Sequence, residues 1–302
     1  MKKQFLFIAA VTSFFSVAGA QQDSSIAQLL ANSPELTLPQ VPLPDARGGA
    51  LSYAHNIYNV WDPAAPLSYN QQPARVLAGA GVVIRNVRWG RTPADHKDYK
   101  WETVRIDPAL IEKVIYGYKT LGTGHTLLVF IFKEGGVTSS LGGSARALTF
   151  GAEGWSREPY GYTIGHALKG RYPLIWSAAT FESYADYVVG SSKTKILFKN
   201  TNLDKAQTAR LFELLLARIE ETNRGQETYN LFTNSCTNNP VNLINQVVPK
   251  AQRISLEVAG VTNLNAAIPV LAVKRYVKKG VLQPETAQID VANFASFDIL
   301  KI

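Results

Sequence analysis

Six consecutive apolar residues, Leu127, Leu128, Val129, Phe130, Ile131 and Phe132, restrict the fold more than any other feature of this chain. An unbroken run of this length offers no polar side to water, so as a strand it must be covered on both faces. Gly122 and Gly124 let the backbone enter the run tightly, and Gly135 with Gly136 closes a turn after it. Residues 144–151 then read as the returning strand of a hairpin, with Glu153 just beyond it. His125 sits at the mouth of the buried strand. A histidine there is most simply a core residue, so its chemistry depends on what the fold brings to it.

The neighbouring segments follow from periodicity. Residues 81–89 alternate as a strand does, and residues 101–106 read as another. Residues 108–118 fit a short helix or an extended connector. Residues 155–171 form a glycine- and aromatic-rich loop with Tyr160, Tyr162 and His166, long enough to act as a lid. Residues 172–176, 184–189 and 193–198 read as strands or edges. Asp204 and Gln207 have the spacing of a capping box, and Ala206, Leu211, Phe212, Leu215 and Ile219 continue at helical spacing to about Thr222. A further helix carries Val241, Leu243, Ile244, Val247 and Val248. Residues 250–302 are a mixed extension without recognisable chemistry. Asp95, His96, Lys97 and Asp98 lie close together, but one imidazole and two carboxylates in a short polar loop fit a solvated turn better than a metal site. No metal or other cofactor is expected.

The only cysteine is Cys236, in the polar segment 229–238 (YNLFTNSCTN) ahead of that last helix. At a helix start, unpaired N–H groups and the helix dipole favour a thiolate and can stabilise an oxyanion. The alternative is a buried, inert thiol. Export bears on the choice. Lys2 and Lys3, an apolar stretch over residues 5–15 and Ala18, Gly19 and Ala20 make a signal peptide cut before Gln21. Residues 21–75, rich in Pro, Ala and Gln, then form a loosely packed arm containing His55 and Trp61. Outside the cytosol cysteines usually pair, and a single thiol without an intrachain partner stands out as a reactive candidate. A thiol also needs a base, and His125 is the one placed at a strand mouth.

Three segments, taken together and in order, carry a family resemblance: 84–88 (IRNVR), 124–130 (GHTLLVF) and 229–238. They resemble the N-terminal periplasmic domain of the Lnb-type lipoprotein N-acyltransferases, over about residues 80–250. That family is viewed as similar to permuted papain-like thiol enzymes, in which His precedes Cys. The resemblance implies an α+β fold, an antiparallel sheet packed against helices around a permuted papain-like core, spanning residues 76–250 with 251–302 as an extension. It implies Cys236 as nucleophile, His125 as base and an acidic third member, for which Glu153 is the nearest candidate. Asn234, Ser235 and Tyr229 are the expected oxyanion or substrate-binding residues. The family reads Asn-Cys where this chain has Ser235 before Cys236. The expected partners are a cell-envelope acyl donor and a lipoprotein or peptide substrate, not nucleic acid. A thiol hydrolase or amidase acting on wall peptides and a non-catalytic binding module are the rival readings. An exposed Cys236 beside His125 fits an enzyme, and a buried one far from it fits the module.

Removing Lys2 and Lys3 from 31 basic residues leaves 29 against 23 acidic ones, a formal charge of +6. A basic exported protein suits contact with anionic lipid head groups or acidic wall polymers, but the charge is dispersed, with Lys278 and Lys279 the only tight pair late in the chain, and reads mostly as a solvated surface. The oligomeric state is not readable from the sequence. Mass spectrometry of the exported chain should find Gln21, or its pyroglutamate, as the first residue. An exported chain that still begins at Met1 contradicts the assignment.

Overall fold

The structure, a computed structural model, describes residues 71–77, 81–93, 98–120, 124–156, 162–223 and 227–302. The proposed signal peptide, nearly all of the N-terminal arm with His55 and Trp61, and Asp95, His96, Lys97 and Tyr160 lie outside these residues.

The elements, in chain order, are β1 (Arg75–Leu77), β2 (Val82–Trp89), β3 (Lys100–Ile106), β4 (Ile111–Lys119), β5 (His125–Phe132), β6 (Val137–Ser139), β7 (Ser144–Ala145), β8 (Ala147–Gly154), α1 (Ile164–Leu168), β9 (Tyr172–Thr180), α2 (Phe181–Ala185), β10 (Ile196–Asn200), α3 (Lys205–Asn223), β11 (Thr228–Tyr229), α4 (Asn238–Val247), β12 (Glu257–Val258), β13 (Val261–Thr262), α5 (Leu264–Ala267), α6 (Pro269–Lys278) and β14 (Ala287–Ile289). Among the described residues, twelve strands make one sheet, with β5 between β4 and β8 near its middle. All its pairings are antiparallel except β2 with β9. The fold is therefore α+β, as the resemblance implies.

The apolar run explains the layering. Leu128, Phe130 and Phe132 enter one core, beneath α3, α4 and α6, and Leu127, Val129 and Ile131 enter a second, beneath α2 and the C-terminal segment. A strand's alternation thus feeds two cores at once. Phe212 on α3 packs its ring edge-on against Phe130, Phe132 and Phe150, with centroids 5.0, 6.2 and 6.3 Å away. The Asp204 and Gln207 box that starts α3 forms reciprocally: Gln207 N–H donates to Asp204 Oδ1 at 2.8 Å, and Asp204 N–H to Gln207 Oε1 at 3.0 Å.

Several local expectations change. Residues 111–119 are strand β4, entered by a short 3₁₀ turn (Pro108–Leu110) whose Asp107 carboxylate caps Ala109 N–H. Residues 184–189, expected as strand, belong to α2 and a wider π turn (Asp186–Ser191) that continues it. Their apolar residues contact the second core from one side, and Thr180 caps Ser183 N–H to start the helix. The loop after Trp155 contains helix α1. Residues 250–302 join the same architecture: Tyr276 of α6 is buried and donates to Val241 O at 3.1 Å, and β14 pairs with β10.

Phe212→Ala should cost about 3–5 kcal/mol, the range for deleting a fully buried aromatic side chain. Urea unfolding reads this directly, and a loss below about 1 kcal/mol would contradict the packing described.

Candidate functional site

Across β4, β5, β8, β9 and β2, neighbours in the sheet in that order, lies a cavity of about 230 Å³ whose walls include Arg88, Lys119, His125, Glu153, Tyr184 and Tyr229. Strand register places them. Lys119 lies directly opposite His125 in the β4–β5 ladder, so both face the same side. In β2 the register slips between Ile84 and Val87, and Asn86 adopts φ 59°. This bulge turns both Ile84 and Val87 into the first core and leaves Arg88 on the cavity side. Arg88 is buried, stands 5.3 and 4.9 Å from the ring centres of Tyr99 and Tyr187, and donates through Nε to Ser183 Oγ at 3.3 Å.

His125 and Glu153 come together. His125 Nε2 lies 3.7 Å from Glu153 Oε1, beyond hydrogen-bond reach. Burial, reinforced by the Lys119 charge, lowers the His125 pKa to about 3, so the ring is neutral at neutral pH. The contact is therefore a polar one rather than an ion pair. Glu153 is held independently, accepting from Gln71 Nε2 at 2.7 Å and from Ser177 Oγ at 2.8 Å. It lies within β8, not beyond its end, because the returning strand runs on to Gly154. Gly151 makes room for the pair: a Cβ there would sit 3.0 Å from His125 Nε2 and 3.3 Å from Glu153 Oε1.

Cys236 sits at the start of α4, and the local sequence dictates how. Ser235 Oγ accepts from the N–H groups of Thr237 and Asn238, while Asn238 Oδ1 accepts from Ser235 N–H at 3.1 Å and Ser235 Oγ–H at 2.6 Å. This is a reciprocal cap with asparagine in the place of the usual Glu or Gln. Asn239 N–H donates to Ser235 O at 3.2 Å, so Cys236 lies in the turn that leads directly into α4. The preceding turn is fixed by a network that the sequence did not announce. Arg218 on α3 grips Glu227 through two N–H groups, and it also donates to Asn239 Oδ1 at 3.1 and 3.0 Å. Asn234 donates to Glu227 at 2.8 Å and to Thr228 O at 3.1 Å, and accepts from Asn239 at 2.9 Å. Burial alone would raise the Glu227 carboxyl, but the Arg218 hydrogen bonds and charge overcome it and hold it below the usual range. Only the Asn-rich composition of the segment hinted at such a network.

The thiol itself is 4% exposed and packs in the first core. Tyr229 Oη donates to Sγ at 3.6 Å, and Thr237 Oγ1 lies 3.9 Å from it. Burial, then the nearby Cys236, push the Tyr229 hydroxyl pKa upward, so it stays protonated as a donor. His125 is not a hydrogen-bond partner of Cys236. Their chain neighbours do meet: Thr126 and Thr237, both fully buried, share a hydrogen bond of 3.2 Å between their hydroxyls. Because side chains alternate along β5, Thr126 faces α4 while His125 faces the cavity. Tyr229 joins the two sides, lining the cavity and touching Sγ. Asn234 and Ser235 serve the turn and the cap and do not line the cavity. His166 lies on α1, paired with Thr163 Oγ1 at 2.7 Å, and is not a cavity residue either.

Residues 97–274 match the family described as the Lnb N-terminal periplasmic domain, which is more than half of the chain. The chain belongs to this family. The match extends past the resemblance in the sequence to include α5 and most of α6, consistent with their burial against α4. No curated protein and no solved structure matches the chain. The family is that of a periplasmic domain, and among the described residues no helix is long and apolar enough to cross a membrane.

The neutral, buried state of His125 has a pH consequence. Between about pH 6.5 and 3 the unfolded chain binds a proton at this residue that the folded chain refuses, so folding stability falls as pH drops through that window. His125→Gln should flatten this part of the stability–pH curve measured by urea unfolding. An unchanged slope would mean that His125 is not held neutral.

Proposed function

We propose that this chain is an exported, cysteine-dependent acyl-transfer domain, with Cys236 as nucleophile and His125 as general base. What supports this reading is the family match together with the hydrogen bond between Thr126 and Thr237, which brings the backbone of the strand mouth bearing His125 against the turn bearing Cys236, with the two reactive side chains on opposite faces of that contact. The order of the two residues supports a permuted papain-like core over residues 76–250, with 251–302 packed onto it as an extension. A signal peptide over residues 1–20 and the arm over 21–75 complete the proposed chain, whose place is the periplasm.

In the proposed cycle the Cys236 thiol gives its proton to neutral His125 as Sγ bonds to an acyl carbonyl carbon. Collapse of the tetrahedral intermediate breaks the bond to the leaving group, which departs with that proton and leaves a thioester. An amine or water then attacks the thioester carbonyl, forming an amide or an acid, and a proton returns to sulfur. Glu153 is the proposed third member and orients the His125 ring once the 3.7 Å separation closes to a hydrogen bond in the substrate complex. The Cys236 backbone N–H is the proposed oxyanion donor, since the Thr237 and Asn238 N–H groups are committed to Ser235 Oγ, the Asn239 N–H to Ser235 O and the Asn234 amide to Glu227 and Thr228. Tyr229 donates to the sulfur and yields its place when an acyl group enters. The acyl donor belongs to the cell envelope, and the acceptor is a lipoprotein or peptide amine, or water in a hydrolase or amidase of wall peptides.

The burial of Cys236 and its bond to Tyr229 rather than His125 favour a second reading, a binding module that kept the fold without the chemistry. Incubation with an activated fatty-acyl ester, followed by intact-mass and peptide analysis, separates the two. The enzyme reading predicts one acyl adduct on Cys236, none in Cys236→Ala, and formation slowed about 100-fold or more in His125→Ala. Absence of the adduct, with native Cys236 also inert to iodoacetamide, supports the module.

A further inference from the structure

Helix α1 is built inside out for a helix on a water-facing surface. Its small residue Ala167 is buried, while Ile164 and Leu168, one turn apart on the same side, are 51% and 41% exposed. The turn beside it repeats the pattern with Phe232 at 42%. The two are one surface: Leu231 N–H donates to Ala167 O at 3.2 Å, and Asn230 Nδ2 to Leu168 O at 2.9 Å. Tyr162, 40% exposed, extends this surface to the cavity, whose wall it helps form, stacked on Tyr172 at 5.3 Å and edge-on to Tyr229 at 6.1 Å.

Charge accompanies the apolar residues. Lys169 is exposed and Arg171 half-exposed directly after α1, and neither segment 162–172 nor segment 228–233 contains an Asp or Glu. A second exposed apolar group, Val258, Val261, Leu264 and Ile268, is linked to the cavity through Pro269, on which Gly124 packs. Bulky apolar side chains projecting outward with cations beside them suit an anionic lipid interface, where the side chains enter the acyl boundary and the cations meet head groups. We propose that α1 and the turn carrying Phe232 form a docking face for an anionic bilayer surface, presenting the rim of the cavity at Tyr162 to the lipid.

This docking is independent of the thiol chemistry, so Cys236→Ala should bind membranes as the parent does. The experiment is co-flotation of the purified exported protein with vesicles of phosphatidylcholine alone or of phosphatidylcholine with phosphatidylglycerol. The parent should float with the anionic vesicles and release at high salt. Leu168→Ser with Phe232→Ser should weaken that binding by about tenfold or more, as expected for two apolar side chains withdrawn from lipid. Their exposure predicts unchanged thermal unfolding, which checks folding. Lys169→Glu should also weaken binding and reduce its salt dependence. Three results would overturn the proposal: no binding by the parent, equal binding by the Leu168/Phe232 double variant, or a concentration-dependent dimer that this variant abolishes while vesicle binding is unaffected.

Discussion

The structure depends on a strand that cannot face water on either side. From Thr126 to Phe132 every residue of β5 is buried, and its two faces feed two different cores. A slip of one residue would exchange those faces and place Thr126 in the wrong layer. Its hydroxyl is fully buried and must find a partner, since an unpaired buried hydroxyl costs about 1–3 kcal/mol. Thr237 provides one, because Ser235 already caps α4 and leaves the Thr237 side chain free of that duty. This contact is one of those that seat the turn bearing Cys236, and the start of α4, against the sheet.

From that contact the site divides into two halves. On one face lie His125, Glu153 and Lys119, in a cavity where burial and a neighbouring cation keep the imidazole neutral. On the other lies the thiol, enclosed by Tyr229 and Thr237. Tyr229 belongs to both. Its protonated hydroxyl suits a sulfur acceptor, and its ring forms part of the cavity wall. The Arg218, Glu227, Asn234 and Asn239 network supplies rigidity where the chain has no regular structure. A charged pair with its hydrogen bonds satisfied holds a turn in a way that apolar packing at the end of a short strand could not.

Much of this was legible in the sequence, for identifiable reasons. The apolar run, the Asp204 and Gln207 cap and the alternation in β2 are local signals with strong periodicity, and the corresponding elements stand where those signals lie. Residues 184–189 read as strand because Tyr and Val favour strands, yet Thr180 caps a helix there and the core accepts one of its sides. The length of β4 was hidden by Pro108, which opens a short 3₁₀ turn just ahead of the strand. The proximity of Glu153 to His125 follows from the hairpin, but the side each residue faces does not. His125 and Thr126 exchange roles with a shift of one residue, and only the paired sheet settles which of them meets α4. The role of Arg218 was not readable at all, since an arginine on a helix normally signals a solvated face.

The contact that joins the two halves can be tested by a double-mutant cycle. Thr126→Val and Thr237→Val, singly and together, are compared by urea unfolding. If the two hydroxyls are mutual partners, each single change removes a hydrogen bond from the other and costs about 1 kcal/mol, while the double variant costs less than the sum by at least about 0.5 kcal/mol. Strictly additive losses would mean that the hydroxyls are not coupled, and that the strand bearing His125 and the helix bearing Cys236 are not held together as described.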